Sequence, residues 1–122
     1  MIKRILLVDD NPAILSLLIR YLSQLQPNYQ LEICHSGVEA LSLDQIHPFD
    51  LVISDYIMDH LDGLQLARHL KQRQPDVKFI LMSGDDKTVM AQKATEAGLS
   101  GFISKPFTLE TIQEAMNTVW EG

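Results

Sequence analysis

Ile5-Leu6-Leu7-Val8-Asp9-Asp10-Asn11-Pro12 changes character twice within one short stretch. Four consecutive apolar residues are of strand length and, being unbroken, suit a strand covered on both faces. Two aspartates stop the run. Asn11 followed by Pro12 then reads as an N-cap with proline at the first helical position. Downstream, Ile14, Leu15, Leu18, Leu22 and Leu25 recur at the spacing of one helix face. A strand, an acidic turn and a helix in that order make the first half of a crossover between parallel strands.

The alternation continues to the end of the chain. Further short apolar runs are Leu31 to Cys34, Leu51-Val52-Ile53, Phe79-Ile80-Leu81-Met82 and Gly101-Phe102-Ile103. Ser36-Gly37-Val38-Glu39 has the capping-box spacing and opens a helix to about Ile46. Asp62 can cap a helix from Gly63 to Arg73 that Pro75 closes. Asp85 or Asp86 can cap the next, which is expected to end at Gly98, and Thr108 can cap the last, through Trp120. Five strands alternating with five helices predict an α/β fold, a parallel sheet with helices on both faces. Right-handed crossovers make it doubly wound, and its ligand crevice then lies beyond the carboxyl ends of the strands. No repeat or linker-like tract interrupts the pattern, so residues 1–122 read as one domain.

The totals narrow the function. With 46 % apolar and 21 % charged residues in 122, the chain is globular and can bury one core. A formal charge of −6 argues against direct binding to nucleic acid or an anionic membrane, both of which need clustered Lys and Arg. Cys34 is the sole cysteine, which excludes an internal disulfide and a thiolate metal site and leaves it as a small buried hydrophobe. No apolar run approaches the ~20 residues of a membrane span, and the first one is too short for a signal sequence. A cytoplasmic location is the plain expectation. His35, His47, His60 and His69 lack metal-ligand spacing.

Chemistry gathers where the strands end. Asp9 and Asp10 follow the first strand, Asp55 the third, Ser83 the fourth and Lys105 the fifth; the second ends in His35-Ser36, outside the pattern. One aspartate after a strand is ordinarily a turn residue or a cap. The set is different, because three crowded carboxylates repel by roughly 4 kcal/mol per close pair at an effective dielectric of ~20. They need a cation or retained protons, and hard oxygen donors with open positions suit Mg²⁺. Lys105 can pair with Asp55, and the Ser83 hydroxyl can reach a phosphoryl oxygen. Asp55, leaving a strand at the sheet's centre, is the best nucleophile, since carboxylates do accept phosphoryl groups.

Across essentially its whole length the sequence resembles the receiver domain of bacterial two-component response regulators, the CheY-like domains. The matching stretches are Ile5 to Asn11, Leu51-Val52-Ile53-Ser54-Asp55-Tyr56-Ile57-Met58 with Gly63, Met82-Ser83-Gly84 and Lys105-Pro106-Phe107. The resemblance implies the flavodoxin-like strand order 2-1-3-4-5. It implies that Asp55 takes phosphate from a histidine kinase or a histidine phosphotransfer protein. Asp10 and Asp55 would ligate Mg²⁺ directly together with the backbone carbonyl of Ile57, and Asp9 through a bound water. It further implies a cis Lys105-Pro106 bond. Phosphorylation would move Ser83 and the aromatic Phe102, altering the face of the fourth helix, fifth strand and fifth helix that meets a downstream partner or a second copy.

Three departures accompany the resemblance. Asp59, followed by His60, stands where the family commonly has proline after the methionine; Phe102 carries no hydroxyl; and no output domain follows the last helix in this chain. A small-molecule phosphotransferase would need a cap for which 122 residues leave no room. A flavin carrier would need Ser, Thr and Gly where Asp9-Asp10-Asn11-Pro12 stands. A phosphorylation-independent receiver would not need all five rim residues. Trp120 is expected to pack the end of the last helix, and Lys71-Gln72-Arg73 to complement a helix C-terminus.

Overall fold

The computed structural model describes residues 2–121. Its elements in chain order are β1 (Arg4–Val8), α1 (Pro12–Leu25), β2 (Gln30–Cys34), α2 (Gly37–Ile46), β3 (Leu51–Asp55), α3 (Gly63–Arg73), β4 (Lys78–Ser83), α4 (Lys87–Glu96), β5 (Gly101–Ser104) and α5 (Leu109–Glu121). The strands form one parallel sheet in the order β2-β1-β3-β4-β5. Strand order reverses between β1 and β3, so the crevice of an open doubly wound sheet falls there.

Strand alternation sorts the core into two layers. Leu6, Val8, Val52, Phe79 and Leu81 face Ala40, Leu66, Ala67, Leu70, Met90 and Ala94 of α2, α3 and α4. Their neighbours Ile5, Leu7, Leu51, Ile53, Ile80 and Met82 face Leu15, Leu18, Leu22, Ile112, Met116 and Val119 of α1 and α5. Every residue of β3 is buried, as a central strand requires. At the edge, β2 leaves Gln30, Glu32 and Ile33 exposed, and Glu32 is ion-paired with Arg4. Each fully buried leucine or isoleucine contributes about 1.5–3 kcal/mol, and the two layers together hold the sheet that carries the rim.

The caps follow the sequence reading with three refinements. Asn11 accepts from the Ala13 N–H at 2.9 Å, and Pro12 opens α1. Ser36 accepts from the Glu39 N–H, but the Glu39 carboxylate turns to the His35 N–H at 3.0 Å, so α2 has half of the expected box. A full box occurs instead at α3, where Asp62 and Gln65 exchange both bonds. At α4 the cap is Asp86, and the helix stops at Glu96; Gly98 lies beyond it at φ +71°, the left-handed conformation that glycine adopts freely. Thr108 accepts from the Thr111 N–H at the head of α5.

Gly63 begins α3 against the end of β3, its N–H donating to the Tyr56 carbonyl at 2.8 Å. A Cβ there would stand 2.5 Å from the Asp55 carbonyl oxygen and 2.7 Å from Leu81 Cδ1. Backbone cannot yield as a flexible side chain can. Gly63→Ala is therefore expected to destabilise the fold by about 1–3 kcal/mol, read as a lower urea midpoint with unchanged m. An unchanged midpoint would mean that α3 does not need this close approach.

Candidate functional site

Strand register assembles the rim. Val8 pairs with Ser54, so Asp9 lies beside Asp55; Asp55 pairs with Met82 and Ser83 with Ser104, which steps Ser83 and Lys105 along the same edge. Asp9 is fully buried, its Oδ1 accepting from the Asn11 N–H at 2.9 Å. The residue that caps α1 thus also fastens Asp9. Asp10 is exposed. Lys105 is anchored by its backbone N–H to the Ser83 carbonyl at 2.8 Å, next to a cis Lys105-Pro106 peptide.

The Lys105 ammonium reaches two carboxylates, Asp9 Oδ2 at 2.9 Å and Asp55 Oδ1 at 3.0 Å. Sequence reasoning anticipated only the second; the strand register is the signal that would have added Asp9. Asp55 Oδ1 also accepts from the Tyr56 N–H at 3.0 Å. Both hydrogen bonds to the Asp55 carboxylate among the described residues therefore fall on one oxygen. Ser83 is buried, its hydroxyl accepting from the Asp85 N–H at 3.0 Å. Ile57 is exposed on the β3–α3 loop, and Met58 folds back into the core. Phe102 is half-buried and lines, with Pro106, Thr111 and Ala115, a groove of about 500 Å³ between β5 and α5.

Asp59 and His60 are both exposed. The Leu61 N–H donates to the Asp59 carbonyl at 2.7 Å, and His60 sits at φ 68°. A three-residue turn with a positive central φ is uncommon for a side-chain-bearing residue, and here it falls on His60, one position after Asp59.

One ammonium serves three acids. Burial raises the Asp55 pKa above its ordinary 3.8; the Lys105 hydrogen bond pulls it down and the Asp9 charge pushes it up, and the net is upward. Burial lowers that of Lys105, but its bonds to Asp9 and Asp55 outweigh this and the net is again upward. Both shifts favour the protonated form: the two carboxylate partners outweigh burial at Lys105, and burial outweighs the shared Lys105 bond at Asp55. With all groups ionised the four side chains leave two uncompensated negative charges. One oxygen from each of Asp9, Asp10 and Asp55 comes within 4.8 Å of the others, a donor set that fits a hard divalent cation. No other group of three or more His, Cys, Asp and Glu among the described residues has this closeness.

A family model for the response regulator receiver domain matches residues 5–117. The chain belongs to that family. Among relatives of this receiver domain, Transcriptional regulatory protein GlrR of Escherichia coli is 34 % identical over 118 residues, 96 % of this chain and 26 % of that protein. Response regulator MprA of Mycobacterium avium is 33 % identical over 116 residues, 95 % of this chain and 50 % of that protein. The chain thus spans between a quarter and a half of these relatives. The crystal structure of a signal receiver domain of an HD domain-containing protein from Pseudomonas fluorescens superposes with TM-score 0.86 at 31 % identity, covering 99 % of this chain and 96 % of that one. Response regulators receive their signals from histidine kinases. Among the described residues no helix is long and apolar enough to cross a membrane. The remaining sequence readings meet plain geometry: Cys34 is buried with its thiol pushed up to about 12, chiefly by burial, and Trp120 donates to the Tyr29 hydroxyl at 2.8 Å.

The upward shift at Asp55 has a defined sign. The native state holds a proton there more tightly than the unfolded chain, so ionised Asp55 costs stability at neutral pH. That cost disappears as pH falls through the raised pKa toward 3.8. Asp55→Asn is expected to raise the thermal midpoint of the chelator-treated protein at neutral pH, with the gap closing as pH falls through that window. A lower midpoint for Asn at neutral pH would show that the Lys105 pair outweighs burial.

Proposed function

We propose that this receiver domain takes a phosphoryl group on Asp55 from a histidine kinase or a histidine phosphotransfer protein, and that the phosphate is its signal and not a step in turnover. The observation that carries the reading is the occupancy of Asp55. Its Oδ1 is held by Tyr56 and Lys105, so Oδ2 is the oxygen left to attack. In the transfer the Oδ2–P bond forms as the P–N bond of the donor phosphohistidine breaks, and the imidazole departs. Asp9, Asp10 and Asp55, with the Ile57 carbonyl, are the residues that would hold Mg²⁺. When bound, the ion supplies positive charge to the phosphoryl oxygens. Lys105, already at the site, offers a second positive charge, and Asp9 keeps it there. A cytoplasmic location agrees with a kinase donor.

Incubation with Mg²⁺ and a small phosphodonor is expected to add the mass of one phosphoryl group. The adduct should be lost with chelator and on Asp55→Asn. No adduct on the native protein, or the same adduct on the variant, would defeat the assignment.

Downstream, the acyl phosphate recruits the Ser83 hydroxyl as a donor, and the loop whose Asp85 N–H that oxygen accepts moves with it. The movement of the β4–α4 loop makes room for Phe102 to turn inward, and the α4–β5–α5 face shifts in population between two shapes that a partner or a second copy distinguishes. Amide exchange over residues 84–107 is expected to change when an acyl-phosphate mimic binds with Mg²⁺. Identical protection in the two states would sink the switch while leaving the acceptor role intact.

A further inference from the structure

α3 packs against α2, and α4 against β4 and β5, which leaves a furrow between α3 and α4 away from the acidic rim. Two adjoining hollows of about 430 and 340 Å³ run along it and share Leu64, Arg68, Glu96 and Ala97. The floor is apolar, from Leu64, Ala67 and Ala97, while Arg68 and Lys71 stand on one bank and Lys93 on the other.

The charge here opposes that of the whole molecule. α3 and α4 carry five of the ten Lys and Arg residues in a chain of charge −6, and one of its sixteen Asp and Glu residues. Among the described residues, Arg68, Lys71 and Lys93 form no ion pair. The one acid, Glu96, is taken along its own helix by Gln92 at 3.0 Å. Lys93 is held with its ammonium 5.5 Å from the centre of the Tyr56 ring, so part of the ordering of this long side chain is already done.

We propose that this furrow docks an acidic peptide segment of another protein, a short helix with apolar residues on the face that meets Leu64, Ala67 and Ala97 and carboxylates on its flanks. Charge complementarity selects the occupant. An extended polyanion such as nucleic acid fits poorly. The cationic stretch is short, Asp62, Asp85 and Asp86 stand at the helix starts beyond it, and a phosphate backbone leaves an apolar floor unfilled. The docking uses the unphosphorylated protein and does not depend on chemistry at Asp55.

The test is titration of the isotopically labelled, unphosphorylated protein with a synthetic helix bearing leucines one turn apart and glutamates at the flanking positions. Amide shifts are expected on α3 and α4, and the double variants Arg68→Glu with Lys71→Glu, and Arg68→Glu with Lys93→Glu, should weaken binding by about fivefold or more per reversed charge. Unchanged thermal midpoints for these substitutions show that folding is not the cause. A lysine-bearing helix should not bind. Shifts confined to another face, affinity indifferent to the reversals, or no binding would overturn the proposal. So would equal or tighter binding of a single-stranded oligonucleotide, or a charge-reversal-sensitive self-dimer through α3 and α4 in sedimentation.

Discussion

Lys105 Nζ stands between Asp9 Oδ2 and Asp55 Oδ1, joining residues 96 and 50 positions apart in the chain. It ties the ends of β1, β3 and β5 together at the point where strand order reverses. The tie is incomplete by charge: one ammonium faces three acids, and Asp55 stays burdened by burial that its share of Lys105 does not offset. A buried acid left in that state is unstable alone and receptive to added positive charge. The stability of the apo fold and the readiness of the site for a cation are then two aspects of one electrostatic imbalance.

Rigid elements keep that imbalance from relaxing. Asp9 cannot swing away, because Asn11 holds its other oxygen and at the same time caps α1. Asp55 cannot retreat, because β3 is buried throughout and Gly63 brings α3 within contact of its carbonyl. The loops complete the edge: the β3–α3 turn holds His60 at positive φ, and the β4–α4 turn engages Ser83. The strands thereby fix the acids, and the loops supply the neighbours of Asp55 and Ser83.

The two helical layers carry different surfaces. On the α5 side the hollow beside Phe102 adjoins the strand that carries Lys105. On the α3–α4 side a furrow with unpaired cations is connected to the rim through Tyr56, whose N–H bonds Asp55 and whose ring lies near Lys93.

Strands, helices and most caps were legible because they rest on local patterns: apolar runs of strand length, proline after Asn11, and an acceptor side chain ahead of each helix. The rim was legible once strand ends were aligned, since a parallel sheet brings all carboxyl ends to one edge. Local pattern failed where a side chain had a choice of partner. Glu39 could turn to Ser36 or His35 and takes the His35 N–H; α4 could run to Gly98 and stops at Glu96. Tertiary structure alone decided that Lys105 serves Asp9 as well as Asp55, that the hydrogen bonds to the Asp55 carboxylate fall on Oδ1, and that the cations of α3 and α4 face each other across a furrow. Each is a relation between side chains distant in sequence, set by register and by the depth at which helices settle on the sheet, and neither quantity is written in the local order of residues.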